Sequence, residues 1–260
     1  MQSNQGFERD LVMTRENRAR LKQNNNLRYW YASLYRELFA DVQDLPHKRI
    51  LEIGSGASPL KEFIPQILTS DVLSLDYVDF VFDCHEIADF DRIADHSLDI
   101  VTLTNVLHHL RDPLLFLQRV THKLNDGGQV FIAEPYFSLV SYPIFKFLHP
   151  ENTDFNIANP SLTQIDGPLT TSNQAIPYML FFTRPDWRRR LSLYYDLAQT
   201  RIAYFSSVSY MMSGGISRQL PVPQWLYQAW FGIDHVLAKS LPRIFASFFT
   251  AKLLAQPNYR

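Results

Sequence analysis

Hydrophobic positions along the chain fall into two periods. Between residues 27 and 43, Leu27, Trp30, Tyr31, Leu34, Tyr35, Leu38 and Phe39 recur at three and four, the spacing of one helix face. From residue 49 short apolar runs take over, bounded by turn residues. They predict strands at 49–53, 67–71, 78–82, 98–104 and 129–133. Helices are expected between them. One spans 59–68, its end disturbed by Pro65; another spans 112–124, opening on the cap pair Asp112-Pro113 and ending at Gly127-Gly128. Strands alternating with helices imply a parallel, doubly wound α/β sheet. The pattern is poor at both ends. Residues 1–26 are polar and read as a loose arm with a helix near 14–22. Residues 136–182 hold five prolines and many aromatics with little period, the marks of an irregular insertion over a pocket. A helix at 185–197, a strand at 200–208, a helix at 224–239 and a last strand at 246–254 complete the reading.

The chemistry starts at the end of the first strand. Ile50-Leu51-Glu52-Ile53-Gly54-Ser55-Gly56-Ala57-Ser58 reads as strand, glycine turn and helix start, with Ser58 as N-cap and Pro59 as first helical residue. Glycines let the backbone approach a ligand closely. A dinucleotide fingerprint needs a third glycine where Pro59 stands, and Glu52 would repel a pyrophosphate. Glu52 suits a ligand that carries positive charge. Asp71 lies 19 residues after Glu52, at the end of the second strand, where an acid can accept ribose hydroxyls.

The E-x-G-x-G turn resembles motif I of the class I S-adenosylmethionine-dependent methyltransferases. Three further motifs follow in order: Leu107-His108-His109-Leu110 with Pro113-Leu114-Leu115-Phe116-Leu117, then Leu124-Asn125-Asp126-Gly127-Gly128, then Glu134-Pro135. The resemblance covers residues 48–135, more loosely the rest, and points to the branch with an L-H-H-L sequence after strand four. It implies a Rossmann-like α/β fold with a seven-stranded sheet, the last strand antiparallel. The insertions would form lids after strand five and between strands six and seven. It implies S-adenosylmethionine as cofactor, held by Glu52, Gly54, Ser55, Gly56, Ser58, Asp71, Asp83, Cys84, Asn105 and Val106. Asp83 would read the adenine amino group, with backbone alone supplied by Cys84 and His85.

Histidine is the natural base near neutral pH, so His108 or His109 is a catalytic candidate, although adjacent histidines are not expected to face one pocket together. Glu134 and Tyr136 are second-line candidates. Asn173 and Gln174, in a polar knot within the insertion, offer paired donors and acceptors to a hydroxyl-rich acceptor. Met211 to Gly215 can close the same pocket. His149 and Glu151 lack the spacing of a metal site, and no metal is expected. Two other classes stay open: a nucleoside-ligand-binding protein without catalysis, and an NAD-dependent oxidoreductase, for which Tyr142 and Lys146 have the Tyr-x-x-x-Lys spacing.

Composition narrows the setting. Net charge is −1, which gives no global electrostatic case for nucleic acid. Residues 71–99 hold nine acids against Arg92, while residues 183–260 hold ten Lys or Arg against three Asp. The basic, aromatic C-terminal third is consistent with an amphiphilic acceptor met at a membrane surface, through Trp225, Leu226, Trp230, Phe231 and Ile233, with Phe245, Phe248 and Phe249 adding apolar surface. The competing reading is that this helix and the last strand complete the core, with Asp234 and His235 marking the wet side of the helix. The one cysteine, Cys84, rules out an internal disulfide. With no apolar leader or spanning segment, a cytoplasmic protein is expected. The organisation read from the chain is an arm and cover helix at 1–47, a cofactor core at 48–135, a lid at 136–182 and the completion of the sheet at 183–260. The acceptor is expected to be a small molecule, a glycan or a lipid-linked group, methylated on oxygen.

Overall fold

The computed structural model describes residues 2–216 and 218–257. Its centre is a seven-stranded sheet of order β3-β2-β1-β4-β5-β7-β6. The strands are β1 (Ile50–Ile53), β2 (Leu68–Asp71), β3 (Phe80–Val81), β4 (Leu98–Thr104), β5 (Leu124–Pro135), β6 (Tyr195–Phe205) and β7 (Phe248–Ala255). β7 runs antiparallel to both its neighbours, β5 and β6, and the pairs from β3 to β5 are parallel. This is the doubly wound, Rossmann-like α/β sheet expected from the sequence. Strand order reverses between β1 and β4, so a crevice opens at their carboxyl ends.

Alternate residues on each strand serve the two faces. Leu51, Ile53, Val101, Leu103, Val130 and Ile132 pack with α4 (Pro113–Arg119) and α7 (Pro185–Leu191). Ile50, Ile100, Phe131 and Phe248 pack beneath α2 (Asn25–Leu38) and α9 (Gln224–Ser240). α2 is capped by Asn24, whose side chain accepts from the Leu27 N–H. It buries Leu27, Trp30, Tyr31, Leu34, Tyr35 and Leu38, the periodic set read from the sequence.

Several elements differ from expectation. The N-terminal arm is one long helix, α1 (Gln2–Gln23), and it lies over the crevice. The helix after the glycine turn is short, α3 (Leu60–Phe63). Its C-cap Ile64 leaves the helical region at φ −129°, as a residue before proline must. Pro59 is its N-cap, while the Ser58 hydroxyl still accepts from the Leu60 N–H. Gly127-Gly128 do not end a helix: α4 stops at Arg119, and the pair sits inside β5 beside a register shift, with Gly127 at φ +75°. β6 begins at Tyr195, not at 200, which shortens the preceding helix to Pro185–Leu191, and β7 begins at Phe248, not at 246.

α9 and β7 complete the core, and α9 departs from expectation at Phe231 and Asp234. Asp234 is buried and accepts from the Ser207 and Val208 N–H groups at 2.8 and 2.7 Å, so it anchors the segment after β6. Tyr227 and Phe231 face inward with it, and Phe248 and Phe249 belong to the core. Trp225, Ile233 and Val236 point to solvent. The stretch between β5 and β6 holds α5 (Ser141–Pro143), α6 (Ala175–Tyr178) and a long irregular run. The stretch between β6 and β7 holds α8 (Ser209–Met212), α9 and α10 (Pro242–Phe245).

Candidate active site

A cavity of about 280 Å³ occupies the crevice at the ends of β1 and β4. The glycine turn forms its floor. Gly54 has φ +72°, and a Cβ there would lie 2.5 Å from Val106 Cγ2 in the loop after β4. A Cβ on Gly56 would meet Thr14 Cγ2 at 2.6 Å and Asp71 Oδ2 at 2.9 Å. Both positions therefore need glycine, one for its conformation and both for close approach. Asp71 accepts from Gly56 N at 2.9 Å and Leu73 N at 2.9 Å, which locks the turn onto the end of β2. Ser55 is fully occupied in the same joint: Ser70 N donates to its hydroxyl, and its own N–H donates to Ser70 O.

Glu52 lies under this turn with almost no exposure. Its Oε1 accepts from the Ser58 hydroxyl at 2.5 Å, and its Oε2 is buried without a partner. Burial raises its pKa to about 7, against the hydrogen bonds from Ser58 and Ser55 and the nearby Arg18 charge. Tyr35 donates to or accepts from the Ser58 hydroxyl at 3.1 Å, so α2 closes this corner. Tyr31 and Tyr35 both line the cavity.

Further along, Asp83 is held to the His85 side chain at 2.6 Å and to the His85 N–H at 2.9 Å. The His85 hydrogen bond, opposed by partial burial, lowers the Asp83 pKa to about 2. His85 is not there for its backbone alone: its Nε2 accepts from the Asp112 N–H at 3.1 Å and ties the end of β3 to the cap of α4. Cys84 lines the cavity, and burial pushes its thiol up, out of reach of ionisation. Asn105 adopts φ +55°, and its Oδ1 is buried without a partner.

At the far end the turn Leu107–His109 carries both histidines into the cavity, with ring centroids 4.3 Å apart. Contrary to expectation, adjacent histidines share one pocket, because the tight turn fans them apart by a modest angle rather than to opposite sides. Glu134 is wholly buried behind them. It accepts from Val106 N at 2.9 Å and Leu107 N at 2.6 Å, and its other oxygen holds His108 Nδ1. It does not line the cavity, so its part is to position His108. His108 Nε2 meets Glu151 Oε2 at 3.1 Å. Burial alone would lower the His108 pKa, but the charges of Glu134 and Glu151 outweigh it and lift it to about 10. Glu151 is held well below the usual carboxylate range by His108, in spite of its burial. His109 is pushed down by burial and by the His108 charge; its Nδ1 bonds Thr171 O at 3.0 Å, and Nε2 lies 3.9 Å from Glu151 Oε1.

From the sequence, Glu151 enters only with His149 as a metal pair, set aside for lack of spacing. It comes from the irregular insertion, where no period or motif marks it. The other insertion residues divide. Gln174 lines the cavity and donates to Glu151 Oε2 at 2.9 Å, leaving its own Oε1 buried and unpartnered. Asn173 does not line it: its Oδ1 accepts from Asp154 N and Ala175 N, and its amide donates to Asp154 O. Tyr136 also lies outside, packed edge-on against Tyr178, Phe182 and Tyr204. Tyr142 and Lys146 are absent from the lining as well. Tyr142 is half-exposed, and Lys146 donates to Thr153 O at 2.5 Å, so the pair is not set up for hydride chemistry. Tyr210 and Ile216, from the segment after β6, close the wall near the expected Met211–Gly215. Among the described residues, two sets have metal-ligand character in space, Asp83-Cys84-His85 and His108-His109-Glu151.

The roof is α1 latched to the insertion. Asp10, fully buried, accepts from Leu169 N at 2.8 Å and Thr170 N at 3.0 Å. Arg18 reaches down to the carbonyls of Gly56 and Ser58. Phe7, Thr14 and Asn17 of α1 face Ile165, Pro168 and Leu169 of the insertion around the cavity mouth.

A glycine turn at the switch point, a buried carboxylate with one unpartnered oxygen under it and acids ending β2 and β3 define a nucleoside-binding enzyme site of the S-adenosylmethionine-dependent methyltransferase class. Comparison with known proteins agrees. A methyltransferase domain family model matches residues 23–210, and the chain belongs to that family; it is an enzyme, and S-adenosylmethionine is its cofactor. Over 126 residues it is 30% identical to thiol S-methyltransferase TMT1B of Mus musculus, covering 38% of this chain and 51% of that one. Over 123 residues it is 24% identical to ubiquinone biosynthesis O-methyltransferase of Neisseria meningitidis, covering 41% of this chain and 50% of the relative. The chain thus spans about half the length of these curated relatives. A SAM-dependent methyltransferase from Archaeoglobus fulgidus shares the fold, with 15% identity and a TM-score of 0.50 over 86% of this chain and 94% of that one. A chain of the complex between the Haloferax volcanii Trm112 methyltransferase activator and its putative methyltransferase does so at 13% identity and 0.50, over 99% of both. Among the described residues no helix is long and apolar enough to cross a membrane.

Proposed function

We propose that the chain transfers a methyl group from S-adenosylmethionine to an oxygen of a small-molecule, glycan or lipid-linked acceptor. One observation carries this reading: a single cavity runs from the glycine turn to the His108-His109-Glu151 cluster. The cofactor determinants sit at one end and the polar cluster at the other. The pocket fits the cofactor. Glu52 Oε2 and Asn105 Oδ1 are buried and unpartnered, and a bound group rich in donors would satisfy them. Gly54, Gly56, Ser58 and Asp71 would hold it at the turn, Asp83 and Cys84 at the adenine end, and Asn105 and Val106 at the centre. When bound, S-adenosylmethionine supplies a methyl group already activated on a sulfonium, so the chain's task is alignment and exclusion of water.

Glu134 fixes His108, and His108 fixes Glu151. His109 Nε2 is thereby left facing the acceptor end without a hydrogen-bond partner at close range. Phe145, Tyr210 and Phe248 supply an apolar wall, which suits an amphiphilic acceptor. The Leu107-His108-His109-Leu110 turn supports the branch suggested by the motifs. The similarity to both an O- and an S-methyltransferase keeps sulfur as the second acceptor atom to test. The outward face of α9 adds support for an acceptor met at an anionic membrane. Trp225, Ile233 and Val236 are more than half exposed, and Arg243 lies beside Leu139 through backbone bonding. Flotation with anionic liposomes tests this; protein that stays soluble with and without anionic lipid removes the membrane from the reading.

The decisive experiment for the activity is calorimetry with S-adenosylmethionine and NAD, followed by mass spectrometry of phenol, alcohol and thiol acceptors incubated with enzyme and cofactor. Binding of S-adenosylmethionine with one methyl added to an acceptor is the expected result. Preference for NAD, or tight cofactor binding with no transfer to any acceptor, overturns it.

A further inference from the structure

We propose that His108, His109 and Glu151 form a binding site for a divalent transition-metal cation at the acceptor end of the cavity, and that the acceptor's heteroatom binds to that cation. This deepens the methyl-transfer reading and rests on it for the cation's use, but not for its binding. The potential ligand atoms of the three residues lie within 4.8 Å of one another. Ligands about 2.1 Å from a tetrahedral ion stand about 3.4 Å apart. The distances found, 3.1 Å from His108 Nε2 to Glu151 Oε2 and 3.9 Å from His109 Nε2 to Glu151 Oε1, bracket that value.

What separates this cluster from a chance meeting is the support behind each ligand. Metal-binding histidines almost always have the other ring nitrogen held by a carboxylate or a carbonyl. His108 Nδ1 is held by Glu134, itself fixed by two backbone N–H groups. His109 Nδ1 is held by Thr171 O at 3.0 Å, which leaves Nε2 as the lone pair facing Glu151. Glu151 is steadied by Gln174 Nε2 at 2.9 Å. Gln174 Oε1, in a residue only 2% exposed, has no partner in the protein. The same Gln174 Nε2 also bonds His149 Nδ1 at 2.9 Å. Two imidazoles and one carboxylate, with no thiolate, suit Zn²⁺, Mn²⁺, Fe²⁺ or Co²⁺. Three protein ligands leave positions open, the arrangement of a reactive rather than a structural site. There the cation would act as a Lewis acid. It would bind the acceptor oxygen or sulfur and ease loss of its proton to solvent, so that the anion attacks the methyl carbon as the sulfonium C–S bond breaks.

The test uses the full chain, free of any histidine tag and stripped with a chelator, titrated with Co²⁺ and, by calorimetry, with Zn²⁺. One equivalent bound in the micromolar range or tighter, with visible d–d absorption and a raised thermal midpoint, is expected. Glu151→Gln and His109→Gln should each weaken Co²⁺ at least about tenfold, while retained S-adenosylmethionine binding shows that they fold. His122→Gln, at an exposed histidine elsewhere, should leave the cation affinity unchanged. No stoichiometric binding by the parent chain, or equal binding by Glu151→Gln and His109→Gln, overturns the site. The two readings fail separately. Bound Co²⁺ with no methylated acceptor sinks methyl transfer and leaves the site standing. Undiminished transfer by chelator-stripped protein sinks the cation's role.

Discussion

Replacing Glu52 by Gln gives the most direct test of the cofactor end. Glu52 is buried beneath the glycine turn with one oxygen on Ser58 and the other unpartnered. Burial lifts its pKa from 4.5 to about 7 in the folded chain. The folded state therefore keeps a proton that the unfolded state releases, and stability must fall as pH rises through this window. The penalty is absent below the unfolded pKa and complete above the folded one. With about 1.36 kcal/mol for each pKa unit, the linkage predicts a loss of roughly 2.5 kcal/mol between about pH 5 and pH 8. Glutamine cannot ionise, so Glu52→Gln should lose this slope. Its absolute stability is less diagnostic, because an unpartnered buried amide N–H costs about 1–3 kcal/mol.

On the proposed reading, the cofactor would supply the missing counter-charge. S-adenosylmethionine should thus stabilise the parent chain more at pH 8 than the variant, whose affinity should fall about tenfold to a hundredfold, the equivalent of about 1.5–3 kcal/mol for a charged hydrogen bond. Urea unfolding of parent and variant, with and without cofactor, at several pH values measures all of this. A parent and variant with the same pH slope, or an unchanged cofactor affinity, would refute the assignment of Glu52 as a buried carboxylate held ready for a cation.

Gly54→Ala should cost cofactor binding and stability together, since its Cβ would lie 2.5 Å from Val106 Cγ2 at a φ of +72°; a loss of about 1–3 kcal/mol by denaturation is expected, and an unchanged midpoint would contradict the tight joint between β1 and β4. Asp10→Ala should free the insertion from α1, because the Leu169 and Thr170 N–H groups lose their acceptor. Hydrogen exchange across residues 165–171 should then quicken in the absence of cofactor, whereas equal protection would mean that the latch holds nothing. Asp71→Ala should abolish detectable cofactor binding by calorimetry, since it removes both the acid at the end of β2 and the acceptor for the Gly56 N–H.

The centre of the sheet was legible because β1 and β4 are short apolar runs with punctuation at both ends. β4 matches its expected bounds of 98–104, and the periodic face of α2 is the buried face. The elements misread are those whose local signal is weak or contrary. α1 is a polar helix with little apolar stripe, and what secures it is tertiary: Asp10 on the insertion and Arg18 on the turn. α9 misled in the other direction. The pattern puts Phe231 on its exposed aromatic side and Asp234 on its wet edge, yet Asp234 is buried because four consecutive residues after β6, Ser206 to Ser209, need its carboxylate. A buried acid with that many donors is stable where an unpaired one would not be, and no periodicity rule can see donors that arrive from another segment.

The same distinction separates the two ends of the cavity. The cofactor end is built from strand termini, and parallel strands bring their carboxyl ends together whatever the loops do. Glu52, Gly54, Gly56 and Asp71 could therefore be placed from spacing, Asp83 and Asn105 from the family resemblance, and most of them line the cavity. At the acceptor end only the histidine pair comes from a strand terminus. Glu151 and Gln174 arrive from an insertion with no repeating pattern, 43 residues from His108 in the case of Glu151. Glu134 could be identified as an acid at the end of β5, but not as a buried support, because its role depends on two backbone N–H groups of the turn after β4. Asn173 and Gln174 are adjacent and chemically alike, yet one holds the insertion together and the other faces the cavity. Acceptor choice in such a fold thus depends on contacts made across the chain. The substitutions that change it should fall in the insertion, at Glu151 and Gln174, sooner than in the motifs that identify the family.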